Sequence, residues 1–401
     1  MSRPADPILN RNVVFYLASR FAGATGMTML RAAIAWHVYQ VTGSPFHLGL
    51  IGLVQFAPVL ALTLVGGAVA DTFERRRIIM LAQLVPLTGA LLLLATTRAG
   101  IDHLGVLYAA VFVVAAAGAF ENPARAALLP TLVSRAAFPR AVTLASTGQA
   151  LAFMSGPASG GFVIAAFGIG AAYAGAALLV VVSLSCLAML RPQRIEVAQR
   201  AMSWKAVREG LGFVRHNQVV LGCMALDMFA VIFGGATALL PVYANDILGV
   251  GARGYGILSA SLEAGALLTS LVLVSLPPVQ HAGRTLLIAV ALFGLATIGF
   301  GLSTWFPLSI VFYVVCGIAD QISVVMRSTA IQLATPDALR GRVSAVNFIF
   351  IGASNQLGAA ESGFVAALTN PVFAVVSGGI GTLIVVAVVA ATLPRLRAYK
   401  V

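Results

Sequence analysis

The sequence predicts an all-α integral membrane protein: twelve transmembrane helices arranged as two pseudo-symmetric six-helix bundles. Three observations carry this expectation. The chain is 60% hydrophobic and only 9% charged, where a soluble domain carries about 25% charged residues. Apolar runs recur from one end to the other, each long enough to cross about 30 Å of hydrocarbon. The two halves also resemble each other when the sequence is shifted by 202 residues.

The first span, 13–40, is too long for a signal-peptide core and lacks a clear cleavage site. The second, 47–70, runs into "GGAVADTFERRR", and the third, 78–98, follows those arginines. The fourth, 104–128, closes within "ENPARAALLP", and the fifth, 141–166, contains "GPASGG". The sixth, 168–190, stops where Arg191 begins the longest polar break. Within that break "SWKAVREGLGFVRHN" sets Trp204, Val207, Leu211 and Val214 on one helical face, so an amphipathic helix on the inner leaflet is expected. The remaining spans are 218–246, 253–276, 285–303, 305–333, 343–368 and 371–393. The first and fourth of these are long enough to tilt or project. The expected organisation is therefore a bundle over 1–190, a cytoplasmic linker over 191–217 and a bundle over 218–401.

Orientation follows from the loops. With the N-terminus inside, 21 Lys and Arg residues fall on the inner face, against Arg98 and Arg253 outside. This asymmetry places both termini in the cytoplasm. It also accounts for the net charge of +12 without invoking nucleic acid.

The repeat is clearest between 125–165 and 327–367. Arg125 pairs with Arg327, Arg140 with Arg342, and "GPASGGFV" with "GAAESGFV". A chain of two parallel six-helix repeats is one architecture of secondary transporters. Its substrate site lies between the halves near the midplane, and rocking of the halves alternates access.

At this point the chain resembles the major facilitator superfamily. The signature loop of that family, between its second and third helices, reads in outline G-x-x-x-D-R-x-G-R-R. Gly67, Asp71, Arg75 and Arg76 match it; Thr72 replaces the usual basic residue and Glu74 the usual glycine. The form of this loop, with "ENPARAALLP" (121–130) and "TPDALRGRVSAVN" (335–347), is similar to the branch containing bacterial siderophore and drug exporters. The resemblance implies a conformational latch in this loop, bridging to the other half when the transporter is closed inside. Read from charge alone, the arginines are a topology signal. "GPASGG" matches the core of a fifth-helix motif of exporters, at Gly156, Pro157, Gly160 and Gly161, with Ala152 where a further glycine is usual. Small-residue helix packing is the alternative reading of that segment. Two features depart from the pattern. No basic residue occurs in 104–120, where proton-coupled drug exporters carry an arginine motif, and Met27 stands where the branch often has an acid.

Five acids fall within spans: Glu121, Asp227, Glu263, Asp320 and Glu361. On the gentlest scale each costs about 2.5–3.5 kcal/mol at a helix centre, so they must be paired, protonated, wet or near an interface. Glu121 lies one turn before Arg125, an i,i+4 pair. Asp320 and Arg327, seven residues apart, share a helix face. Glu361 lies toward the outer end of its span. Asp227 and Glu263 lie near the midplane, as protonation sites, cation ligands or plain hydrogen-bond partners. Arg20 and Arg31 in the first span are the basic counterparts; an arginine there pairs with an acid or holds an anionic substrate. The candidate cavity is therefore Arg31, Asp227, Glu263, Asp320, Arg327 and Glu361.

No cofactor or metal is expected. The five histidines lack ligand spacing, the three cysteines lie in or beside spans, and no phosphate-binding glycine loop ends in Lys-Ser/Thr. That argues against a membrane enzyme. The expected function is secondary active transport of a small amphipathic organic solute across the bacterial inner membrane, as proton-coupled export by a monomer within the bilayer. Import, lipid or metabolite transport by the same fold, and a non-transporting sensor or scaffold remain open at this stage.

Overall fold

A computed structural model describes residues 10–190, 204–277 and 279–400. Its helices are α1 (Arg11–Thr42), α2 (Pro45–Thr72), α3 (Arg75–Arg98), α4 (Leu104–Leu128), α5 (Phe138–Phe167), α6 (Ile169–Ala188) and α7 (Trp204–His216). They continue as α8 (Gln218–Phe233), α9 (Gly251–Ser275), α10 (Ala282–Leu302), α11 (Phe306–Ala334), α12 (Asp337–Leu368), α13 (Pro371–Thr392) and a short α14 (Pro394–Arg397). Eleven segments are long and apolar enough to cross a membrane. The twelfth span is α12, less apolar because Asn347, Ser354, Asn355, Gln356 and Glu361 interrupt it. The protein is an all-α, multi-pass membrane protein.

The seventh span differs from the unbroken helix expected over 218–246. It stops at Phe233 and resumes as three short helical pieces, Ala236–Leu239, Leu240–Val242 and Tyr243–Ile247. Gly234 and Gly235 occupy the break, and Pro241 follows, removing a backbone donor. Gly235 lies so close to α12 that an added Cβ would sit 2.5 Å from the Gly358 carbonyl oxygen. Any larger residue there would push the helices apart.

Contacts divide the chain into two compact units: Met1–His37 with Ala57–Met202, and Val38–Phe56 with Ser203–Val401. The first half of α2 thus belongs to the second unit. There Gly49 and Gly52 bring it against α12: added Cβ atoms would meet the Ala360 oxygen at 3.0 Å and the Gln356 oxygen at 2.6 Å. Such small-residue contacts let helices approach where no hydrophobic force separates helix from lipid.

In the first unit α3 packs on α4 and α6. Helix α1 is tied to α6 by Ser183, whose hydroxyl donates to the Ser19 carbonyl at 2.8 Å. Its core gathers Tyr16, Ile79, Ala124, Ala141 and Leu187, all fully buried or nearly so. In the second unit α11 packs on α9 and α10, and α13 on α10 and α8. Helix α7 lies on α12. Gly210 abuts the Arg342 carbonyl, and Glu209 pairs with Arg342 at 2.6 Å.

The repeat has a structural counterpart at the helix starts. Asn10 caps α1 by accepting from Val13 N at 2.9 Å and donates to the Leu132 carbonyl at 3.1 Å. Asn217 caps α8 by accepting from Val219 N and Val220 N, and donates to the Ala334 carbonyl at 3.3 Å. Leu132 and Ala334 are separated by the same 202 residues as the sequence repeat.

Candidate transport site

In the first unit the charges within spans lie on α4, where they are buried, and on α1. Arg125 Nε donates to Glu121 Oε1 at 2.6 Å, and Gln83 Nε2 donates to the same oxygen at 3.0 Å. The Arg125 carbonyl accepts from Tyr16 at 3.0 Å. Gly23 of α1 makes room for this cluster: an added Cβ would lie 3.2 Å from Arg125 Nη2. Arg20 is held by Tyr16, whose hydroxyl accepts at 3.1 Å, and by Gln149 Oε1 of α5. Arg31 is exposed.

The loop arginines have partners that their charge alone did not suggest. Arg75 Nη1 donates to the Ala127 carbonyl at 3.1 Å, at the end of α4. Arg76 donates to the carbonyls of Leu187 and Ala188, both at 2.8 Å, at the end of α6. Cations there satisfy carbonyls left without intrahelical donors and meet the negative end of the helix dipole. Gly67 is half-buried in α2, and Asp71 lies in its last turn, with a side chain outside the described set.

The fifth-helix motif is a contact surface toward α1. A Cβ at Gly156 would fall 2.0 Å from Thr28 Oγ1 and 2.7 Å from the Thr25 oxygen. Gly160 faces Met29, Gly161 is buried, and Pro157 lies inside the helix. These contacts give the motif its packing role.

In the second unit Asp227 of α8 forms an ion pair with Arg327 of α11, and both are buried. Asp227 is therefore compensated, by the arginine that the sequence had placed on a face with Asp320. Glu263 and Asp320 are different. Each is the central residue of its helix, α9 and α11. These helices touch around them: a Cβ at Gly265 would meet the Val314 oxygen at 2.1 Å, and one at Gly317 the Leu262 oxygen at 1.9 Å. The two half-buried carboxyls are close enough to interact electrostatically. No arginine or lysine pairs with either among the described residues. Tyr313, Asp320 and Arg327 repeat at seven-residue spacing along one face of α11, and Tyr313 bonds Thr237 at 2.9 Å. Glu361 stands apart on α12, accepting from Ser362 at 3.2 Å.

A charged cluster that the sequence reading missed links α1, α6 and the α3–α4 loop. His37 Nδ1 meets Tyr173 Oη at 2.8 Å, and Nε2 meets Asp102 at 3.1 Å. Nothing in the spacing of these three residues marks them as neighbours.

The model of a family described as transmembrane secretion effector matches residues 6–400. The chain belongs to that family, within the major facilitator superfamily. Among its relatives in the superfamily, the enterobactin exporter EntS of Shigella boydii is 25% identical, over 95% of this chain and 92% of the relative. The multidrug efflux pump Tap of Mycolicibacterium fortuitum is 28% identical, over 96% of each. A crystal structure of a POT family transporter in complex with 5-aminolevulinic acid shares the fold, with a TM-score of 0.74, 12% identity and 96% of each chain covered. Transport, not catalysis, is the activity of this facilitator.

Proposed function

We propose that the protein is a proton-coupled exporter of a small amphipathic organic solute, acting as a monomer in the bacterial inner membrane with both termini in the cytoplasm. The two bundles expected from sequence, 1–190 and 218–401 joined by 191–217, alternate its access. The exporter relatives support the direction. The asymmetry of basic loops supports the orientation.

The observation that carries the coupling is the Glu263–Asp320 pair at the centre of α9 and α11. Two nearby carboxyls without a basic partner among the described residues resist ionising together, so such a pair holds and releases a proton readily. Asp227 is compensated by Arg327 and serves as a structural charge in this reading. Gly67, Asp71, Arg75 and Arg76 act as the latch, with Arg75 and Arg76 bracing α4 and α6 and Asp71 as the charge that switches partners. Glu361 lies on the solute path as an accessory acid.

Solute flux into proteoliposomes under an imposed pH gradient tests the reading. Glu263→Gln and Asp320→Asn should each abolish gradient-driven accumulation while leaving downhill exchange. Undiminished accumulation in both variants would remove the coupling assignment.

A further inference from the structure

Helix α1 is covered on nearly every side. Between residues 20 and 39 the unburied positions are 20, 21, 24, 27, 28, 31 and 35. Their spacing of three and four residues makes one stripe along an otherwise enclosed helix. The stripe begins at Arg20 and carries Arg31 eleven residues on, about 16 Å along the axis. Between them lie Phe21, Ala24 and Met27, an apolar floor. Thr28 is occupied with carbonyls of its own helix and of Ala152.

The charges on this stripe are not neutralised locally. The described carboxylates of the first unit are committed elsewhere: Glu74 to Arg77, Asp102 to His37 and Glu121 to Arg125. Glu121 acts on Arg31 only at a distance. Arg20 is fixed in place by Tyr16 and Gln149, yet its Nε remains buried without a partner. Arg31 makes no hydrogen bond or ion pair with any described residue. A cation left uncompensated within a span marks a wet, functional surface by default.

We infer that this stripe binds an amphipathic organic anion. An acidic oxygen docks on the free guanidinium of Arg31, the apolar body lies along Phe21, Ala24 and Met27, and Arg20 receives a second polar group. Arginine suits this task because its planar fork binds carboxylates and related oxyanions through two donors. The inference deepens the transport reading by assigning the charge class of the solute, and rests on that reading for its physiological meaning.

Two xanthene dyes of similar size and opposite charge provide the test: fluorescein, an anion, and rhodamine 123, a cation. Binding to the purified full-length protein is followed by fluorescence anisotropy. Fluorescein should bind at least tenfold more tightly than rhodamine 123. Arg31→Gln should weaken fluorescein at least tenfold without lowering Tm, and Arg31→Lys should recover most of the affinity. Undetectable fluorescein binding, equal binding of both dyes, or full affinity in Arg31→Gln would overturn the inference. Displacement of fluorescein by submicellar dihexanoylphosphatidylglycerol at concentrations where octanoate displaces none would overturn the solute assignment in favour of a lipid headgroup. Because equilibrium binding needs no gradient, anion binding without gradient-driven flux faults the coupling, and flux without anion preference faults only the stripe.

Discussion

The two units carry opposite charge inside their spans. Among the described residues the first holds Arg20 and Arg31 well inside α1, and Arg125 in the last turn of α4 against Glu121. The second holds Asp227, Glu263, Asp320 and Glu361 within its spans, with Arg327 beside them and Arg342 near the start of α12 paired to Glu209. Arg125 and Arg327 are the same position of the repeat, and both are buried. What differs is the source of the counter-charge. Arg125 takes it from Glu121, one turn earlier on its own helix; Arg327 takes it from Asp227 on α8. The surroundings differ as well: Gly23 of α1 lies against Arg125, Asp227 of α8 meets Arg327, and Ser323 occupies the repeat position of Glu121. The lesson is that the repeat preserves a buried cation while leaving each half free to choose how it is balanced. Balancing within α4 leaves α1 free to display its arginines. Balancing from α8 fastens α8 to α11 and leaves the central acids of α9 and α11 unopposed.

The sharpest way to break this comparison is to remove each arginine. Arg327→Leu strands Asp227, which has no second donor among the described residues, and should cost about 3–5 kcal/mol. Arg125→Leu leaves Glu121 with Gln83 and should cost less, about 1–3 kcal/mol. Thermal unfolding in detergent should rank the two variants in that order; the reverse order would mean that the cross-helix pair is the weaker one.

A transplant sharpens the comparison. Asp227→Ala alone leaves Arg327 buried and unpaired. Adding Ser323→Glu supplies an acid one turn before it, as in the first unit, and should restore most of the lost Tm. No recovery in the double variant would show that the two halves are not interchangeable at this position.

The smallest effect concerns what the halves share. Gly156 and Gly358, equivalent in the repeat, both press on backbone oxygens: Thr25 at 2.7 Å and Val231 at 2.5 Å from an added Cβ. Gly156→Leu and Gly358→Leu should each destabilise by about 1–3 kcal/mol through overpacking. A clear difference between the two in the same unfolding measurement would expose unequal helix contacts behind the sequence match.

Much of the helix pattern was legible in the sequence because hydrocarbon thickness sets helix length. The spans 104–128 and 371–393 are found at Leu104–Leu128 and Pro371–Thr392. The amphipathic segment also forms a helix, Trp204–His216, but it lies against α12, which a moment on one face could not reveal. The break at Gly234–Gly235 was visible as a glycine pair before Pro241, yet high apolarity hid it. At the site, Glu121–Arg125 was readable because the partners lie one helical turn apart. Asp227–Arg327 was not, since one hundred residues separate them and only tertiary packing brings them together. The carbonyl-binding roles of Arg75 and Arg76 were equally hidden, because their acceptors, Ala127, Leu187 and Ala188, are backbone atoms without a sequence signature.

The Glu209–Arg342 attachment has a practical consequence for dividing the gene. With α7 fastened to α12, a cut placed after residue 216 would deprive the second polypeptide of a piece of its own surface and leave Arg342 bare. A cut upstream of Trp204 keeps that brace with the half it supports. Co-expressed fragments should therefore tolerate the earlier breakpoint and suffer from the later one.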